Sequence, residues 1–307
     1  MLLLKLARRL KLKNENFKTN FLKMRNKRLL LNEPTSAFAA QEVTLFHVNE
    51  EIKDIVLRLE DIAEELLQSS HIKSIKDING KQEVAIESKN FLTELTKNLE
   101  QKNEVYMEEF ISQGGSEKLI SLAAFLEGSL LGYCLKSFFK TTYCVTGVEF
   151  IRKRPENVSK LYNLLDKEDL IVKKNILGIL SSLLRDMKGS FVIINKAAVT
   201  HGFKSERSPY SPLIEALQSK DLELKERVLH FFNWMIFKCP KEEFCCKFQS
   251  RLENLGVFEE CQKVSNTANP RLRKQLMLFQ QNNNVIIKSS MYEIEIHRSR
   301  ISELEKH

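Results

Sequence analysis

SPYSPLIEALQSKDLELKERVLHFFNWMIFKCPKEEFCCKFQSRLENLGVFEECQKVSNTANPRLRKQLMLFQQN, residues 208–282, decides how the rest of the chain is read. It divides into short amphipathic helices, with apolar residues at three- and four-residue steps. The turns between them are too short to leave the surface of one domain. No residue in the stretch has the setting of a catalytic group.

The same pattern extends upstream. The spacing predicts helices over 116–126, 129–141, 145–152, 155–165, 169–187 and 191–203. Helices of this length, joined by two to six residues, cannot each bury an apolar face alone. Stacking on neighbours supplies the core, so the expected fold is all-α, an armadillo/HEAT-like α-solenoid. Before it, Pro34 breaks the chain, and Thr35 and Ser36 can cap a helix that starts after them. A long helix is expected over 37–68, with Val48, Ile52, Ile55, Leu59, Ile62 and Leu66 on one face. A turn is expected at Asn79-Gly80, then one helix over 83–113 that stops at Gly114-Gly115. The organisation is a basic N-terminal tail or helix over 1–36, a helical segment over 37–115, the solenoid over 116–284, and a C-terminal helix or coiled-coil start over 285–307.

Composition agrees. The chain has 307 residues, and its 10 Gly and 6 Pro are few. Scarcity of both helix breakers favours helix. The net charge of +8 is unevenly placed. Residues 1–31 carry ten Lys/Arg and one acid, Glu15, so all the excess base lies there, the body is nearly neutral and a nucleic-acid partner is not expected. The tail's Arg8, Arg9, Lys11, Lys13, Arg25, Lys27 and Arg28 interleave with Leu and Phe. That pattern suits an anionic membrane surface. A solvated tail or packed first helix is the plainer reading, and a mitochondrial presequence is weakened by the lack of Ser. At the other end Ile287, Ile294, Ile301 and Leu304 keep heptad spacing. They form a terminal solenoid helix or a short coiled coil that would allow a dimer.

The six Cys form no C-x-x-C pair and sit in apolar patterns, so they read as small core residues in a reducing compartment. His201 and His230 lie in the apolar body, His230 as a core or boundary residue. No nucleotide-binding, nucleophile-elbow or zinc-protease motif occurs. No enzyme activity, metal or cofactor is expected. Phe231, Phe232, Trp234, Phe237, Phe244 and Phe248 crowd one hairpin, and helical spacing makes them mainly core.

Several segments resemble the formin homology 3 region of the diaphanous-related formins. They are SPYSPLIEALQS, LHFFNWMIFKCPKEEF, KFQSRLENLGVFEECQKV and LRKQLMLF, with Phe232, Phe244, Leu255-Gly256 and Gln275 at matching spacing. Upstream, Tyr133–Phe138 (YCLKSF) resembles the family's Cys-Leu-Lys-Ala-Phe helix, and Ile179–Leu183 (ILSSL) its Leu-Leu-Ser-Ala-Leu helix. The resemblance covers about 109–282. It implies an armadillo-repeat regulatory domain of the actin cytoskeleton, cytoplasmic or at the cytoskeleton or membrane periphery. Such a domain binds an amphipathic, autoinhibitory-type helix in a groove and a Rho-family GTPase at a coupled site. The groove positions it implies are Lys136, Lys140, Thr141, Ser182 and Asn233. Lys140-Thr141 stand where the family has an Asn pair, and Ser182 replaces a small residue. No GTPase-binding segment is recognisable in 1–108. Six Pro cannot form a profilin-binding tract, so a chain complete at this length would not assemble actin. Two other readings stay open: an armadillo adaptor like the engulfment-and-motility family of Rac signalling, and a membrane-attached scaffold.

Overall fold

The computed structural model describes residues 35–70, 76–265 and 268–283, with side chains at 48–67, 84–265 and 268–283. The chain divides into two compact units, Met1–Glu51 and Ile52–His307. The described part of the first is helical from Thr35. That helix, α1, is Thr35–Ser70. The solenoid belongs to the second unit.

Of the expected stripe on α1, Ile52, Leu59 and Ile62 are fully or almost fully buried, whereas Val48, Ile55 and Leu66 are half-buried. Helix α2 is Lys76–Gln101 and buries Leu92, Leu95 and Leu99. Two expectations fail here. No turn forms at Asn79-Gly80, which lie inside the first turns of α2. A glycine costs about 1 kcal/mol in a helix, and the apolar repeat after it outweighs that cost. The single helix expected over 83–113 is also broken, at Lys102-Asn103. Asn103 starts a new helix because its Oδ1 accepts the Tyr106 N–H at 3.1 Å, satisfying a free end that a continuous helix would not have.

From Asn103 onward the helices group in threes. The first unit is α3 (Glu104–Ser112), α4 (Gly115–Ala123) and α5 (Gly128–Thr141). The second is α6 (Val145–Lys153), α7 (Glu156–Asn163) with a 3-10 turn over Leu164–Asp166, and α8 (Leu170–Asp186). The third is α9 (Ser190–Lys204), α10 (Ser211–Gln218) and α11 (Leu222–Phe237). The fourth is α12 (Glu242–Asn254), α13 (Val257–Ser265) and a helix over 270–283, here α14. Each unit has roughly the 40–47-residue length of armadillo-type repeats.

The last helix of each unit packs on its counterpart in the next. Helix α2 lies against α5, α5 against α8, and α8 against α11. Asn233 of α11 reaches Gln275 of α14. These helices make one layer, a ladder. The remaining helices make the second, with α3 against α6, α7 against α9 and α10 against α13.

Local chemistry fixes the corners. Gly114 takes φ +91° at the end of α3, as the Gly pair predicts. Gly147 is needed for close approach: a Cβ there would stand 1.7 Å from the Thr141 carbonyl oxygen. Asp169 and Asp221 cap α8 and α11 through their carboxylates. Tyr210 of the opening stretch adopts φ +72°, an unfavourable conformation for a side chain of its size. Its surroundings offset the strain. The ring is fully buried, 5.2 Å from Phe248 and 6.4 Å from Phe232, and its hydroxyl donates to Asn195 Oδ1 at 2.8 Å.

The hairpin aromatics divide. Phe231, Phe232 and Phe248 are core, but Trp234 is half-buried, Phe244 is exposed and Phe237 is 73% exposed. Helical spacing gives the direction of a side chain, not whether another layer covers it. The cysteines divide similarly. Cys134, Cys144, Cys245 and Cys261 are buried, whereas Cys239 and Cys246 are half-exposed. Burial pushes the Cys245 and Cys261 thiols up to about 12, which keeps them inert at neutral pH.

Candidate functional site: the ladder of third helices

The ladder's seams are stitched by polar groups. Between α2 and α5, Thr96 and Ser137 share a hydroxyl bond of 2.7 Å. Between α5 and α8, Asn175 Nδ2 donates to the Gly132 carbonyl at 2.8 Å. Between α8 and α11, Lys174 bridges Asp221 and Glu223, both at 2.8 Å, and Arg227 donates to the Lys174 carbonyl at 3.2 Å. Burial works against the Lys174 charge, but the two carboxylates outweigh it and raise its pKa. Between α11 and α14, Asn233 Nδ2 donates to the Gln275 carbonyl and to its Oε1, both at 3.0 Å. A hydrogen bond at each seam fixes the register of neighbouring helices, because slipping one turn would leave its groups unpaired.

The five expected groove residues all lie on ladder helices, with different exposure. Lys136 is open on α5. Lys140 pairs with Glu100 at 2.7 Å and lies 5.2 Å over the Tyr143 ring. Its hydrogen bond holds the Glu100 carboxyl below the usual range. Thr141 is buried, and its hydroxyl donates to the Phe138 carbonyl at 2.7 Å. Ser182 is buried beside the Arg185–Asp186 ion pair, 3.4 Å from each partner. Asn233 is 8% exposed and belongs to the α11–α14 seam. The structure therefore leaves Lys136 exposed, places Lys140 and Ser182 beside ion pairs, and turns Thr141 and Asn233 inward.

Sequence reading missed Asn175, Lys174 and Arg227. The only signal they give is a polar side chain inside an otherwise apolar helix. His230 is as expected for a boundary residue: half-buried, with Nε2 accepting the Trp234 indole N–H at 3.0 Å. Among the described residues no group of His, Cys, Asp or Glu is arranged to hold a metal. No described helix is long and apolar enough to cross a membrane. The basic residues Arg8, Arg9, Lys11, Lys13, Arg25, Lys27 and Arg28, and the heptad at 285–307, lie outside the described residues.

Residues 128–259, from the start of α5 into α13, match the family model of the FHOD1/3 FH3 domain. Formin-C of Dictyostelium discoideum is 26% identical over 190 residues, which is 59% of this chain and 16% of that protein. Formin-G of the same organism is 26% identical over 197 residues, 64% of this chain and 18% of that protein. The chain thus spans less than a fifth of these relatives. Among solved structures, designed armadillo repeat protein YIII(Dq)4CqI superposes with a TM-score of 0.53 at 14% identity, covering 75% of this chain and 86% of its own. Designed armadillo repeat protein YIII(Dq.V1)4CPAF, in complex with peptide (KR)4, gives 0.51 at 14% identity over 82% and 95%. These likenesses concern the fold. Over residues 128–259 the chain is thus similar to a formin homology 3 domain, and its fold is that of an armadillo solenoid.

Proposed function

We propose that this chain is a non-enzymatic regulatory module of the formin kind. Its ladder face takes an amphipathic helix, and the module engages a Rho-family GTPase in organising the actin cytoskeleton. The observation that carries this is a coincidence of ranges. The formin homology 3 match over 128–259 holds three consecutive ladder helices, α5, α8 and α11. A ladder of parallel helices with seams already closed by their own hydrogen bonds is a rigid surface. Rigidity lowers the ordering cost of binding, which favours helix-in-groove recognition. The designed armadillo protein seen with a (KR)4 peptide is support for peptide binding on such a scaffold. A cytoplasmic place near the cytoskeleton or the membrane periphery belongs to this reading.

The test is a pull-down of the whole chain with Rho-family proteins loaded with GTP or GDP. The expected result is preferential capture of the GTP-loaded form. Equal capture of both forms, or none of either, contradicts the GTPase part.

A further inference from the structure

We infer that the carboxyl ends of α5, α8 and α11 form a docking strip for an acidic amphipathic segment of a partner protein. This rests on the ladder being the partner face and adds the chemistry of the partner. The strip is built from the contacts at the three helix ends. Lys140 lies 5.2 Å over the Tyr143 ring, just past the end of α5. Helix α8 packs against α5, and Arg185 at its end pairs with Asp186 at 2.7 Å. Lys238 comes directly after α11, and its ammonium donates to the Arg185 carbonyl at 3.1 Å. The same ammonium lies 5.6 Å over Trp234 and 5.7 Å over Phe237, whose rings meet edge to face at 5.6 Å.

Two features of this strip point outward. Cations at helix carboxyl ends are explained by the helix dipole alone. Exposed rings beside them are not: Tyr143 is 53% and Phe237 is 73% exposed. Charge is also unbalanced. Lys140 pairs with Glu100 and Arg185 with Asp186, whereas Lys136 is exposed and the Lys238 hydrogen bond goes to a carbonyl rather than a carboxylate. Asp186 feels Lys238 as well as Arg185, so one carboxylate serves two cations. A ligand that fits brings carboxylates to the cations and apolar side chains to the rings. The strip is also narrow. Three packed helix ends span two interaxial distances, about 16–20 Å. A helix of about 12 residues covers that length, which suits a peptide segment better than a bilayer.

Trp234 is the sole tryptophan of the sequence, so its emission reports on this place alone. The whole chain is titrated with a synthetic helix of about 14 residues, Glu on one face and Leu on the other. Its Glu-to-Lys counterpart and phosphatidylserine vesicles are titrated in parallel. The acidic peptide is expected to change Trp234 emission with a saturable midpoint. That midpoint should weaken about tenfold in Lys238→Glu and in Phe237→Ala, and again between about 0.1 M and about 0.5 M salt. The Lys peptide should give no change. Circular dichroism checks folding, and Phe237→Ala, at an exposed ring, keeps the test valid should Lys238→Glu unfold. Equal binding by the Lys peptide, a response to vesicles alone, or acidic-peptide binding indifferent to both substitutions overturns the inference. A partner that binds the ladder but ignores Phe237 and Lys238 overturns the strip and leaves the ladder reading standing. Absence of any partner on the ladder overturns both.

Discussion

Phe232 and Phe237 sit on the same helix, little more than one turn apart, in opposite surroundings. Phe232 is fully buried among Tyr210, Phe248 and Phe279. Phe237 is 73% exposed, with Trp234 and Lys238 against its ring. The difference separates two duties within α11. Its interior joins the layers of the solenoid, and its carboxyl end meets whatever lies outside. A phenylalanine in the first place holds the fold, and one in the second does not.

Substitutions should obey that division. Phe232→Ala is expected to destabilise by about 3–5 kcal/mol, from lost burial and the cavity left behind. Urea denaturation measures it, and a loss below about 1 kcal/mol would mean that the ring cluster is not the core. Asn233→Ala, on the next residue, removes two hydrogen bonds to Gln275 from a side chain that is 8% exposed. A loss of about 1–3 kcal/mol is expected by the same method. An effect on peptide binding without one on stability would move Asn233 from the seam to the groove. Phe237→Ala should change stability by no more than about 0.5 kcal/mol. A larger loss would show that a further layer covers the helix end.

The smallest expected effect on stability is that of pH at His230, which marks the border between the two environments. Burial disfavours the imidazolium and lowers its pKa, the first of several influences on it. The neutral ring accepts the Trp234 indole proton, a bond that protonation at Nε2 removes. The contribution is therefore fully present above the ordinary histidine value of about 6.5 and is lost as pH falls through the lower folded value. Trp234 emission followed against pH should titrate with a midpoint below about 6.5 and stop titrating in His230→Gln. A midpoint above that value would place His230 in a solvated or anionic setting.

Much of the fold was legible in the residues. Apolar periodicity placed nearly every helix, and Gly114 marked a helix end because only its backbone takes that conformation cheaply. The resemblance carried by LHFFNWMIFKCPKEEF pointed to the domain whose family model matches residues 128–259. What escaped was tertiary. The grouping of helices in threes has no repeated sequence behind it, since packing needs shape and not identity. Asn103 could be read as a cap only once a break was suspected. Thr141, Ser182 and Asn233 were polar residues on ladder helices, and their types do not tell a groove from a seam. Burial decides that: Thr141 bonds within its own helix, and Asn233 bonds across to α14. Phe237 was grouped with the hairpin aromatics that helical spacing makes mainly core, and its exposure sets it apart.

The most direct test of the ladder as the binding face is hydrogen exchange on the whole chain, with and without a saturating amphipathic helical peptide. Added protection should fall on α5, α8, α11 and residues 270–283 and spare α6, α7, α9 and α10. Protection of the second layer instead, or none anywhere, would contradict it.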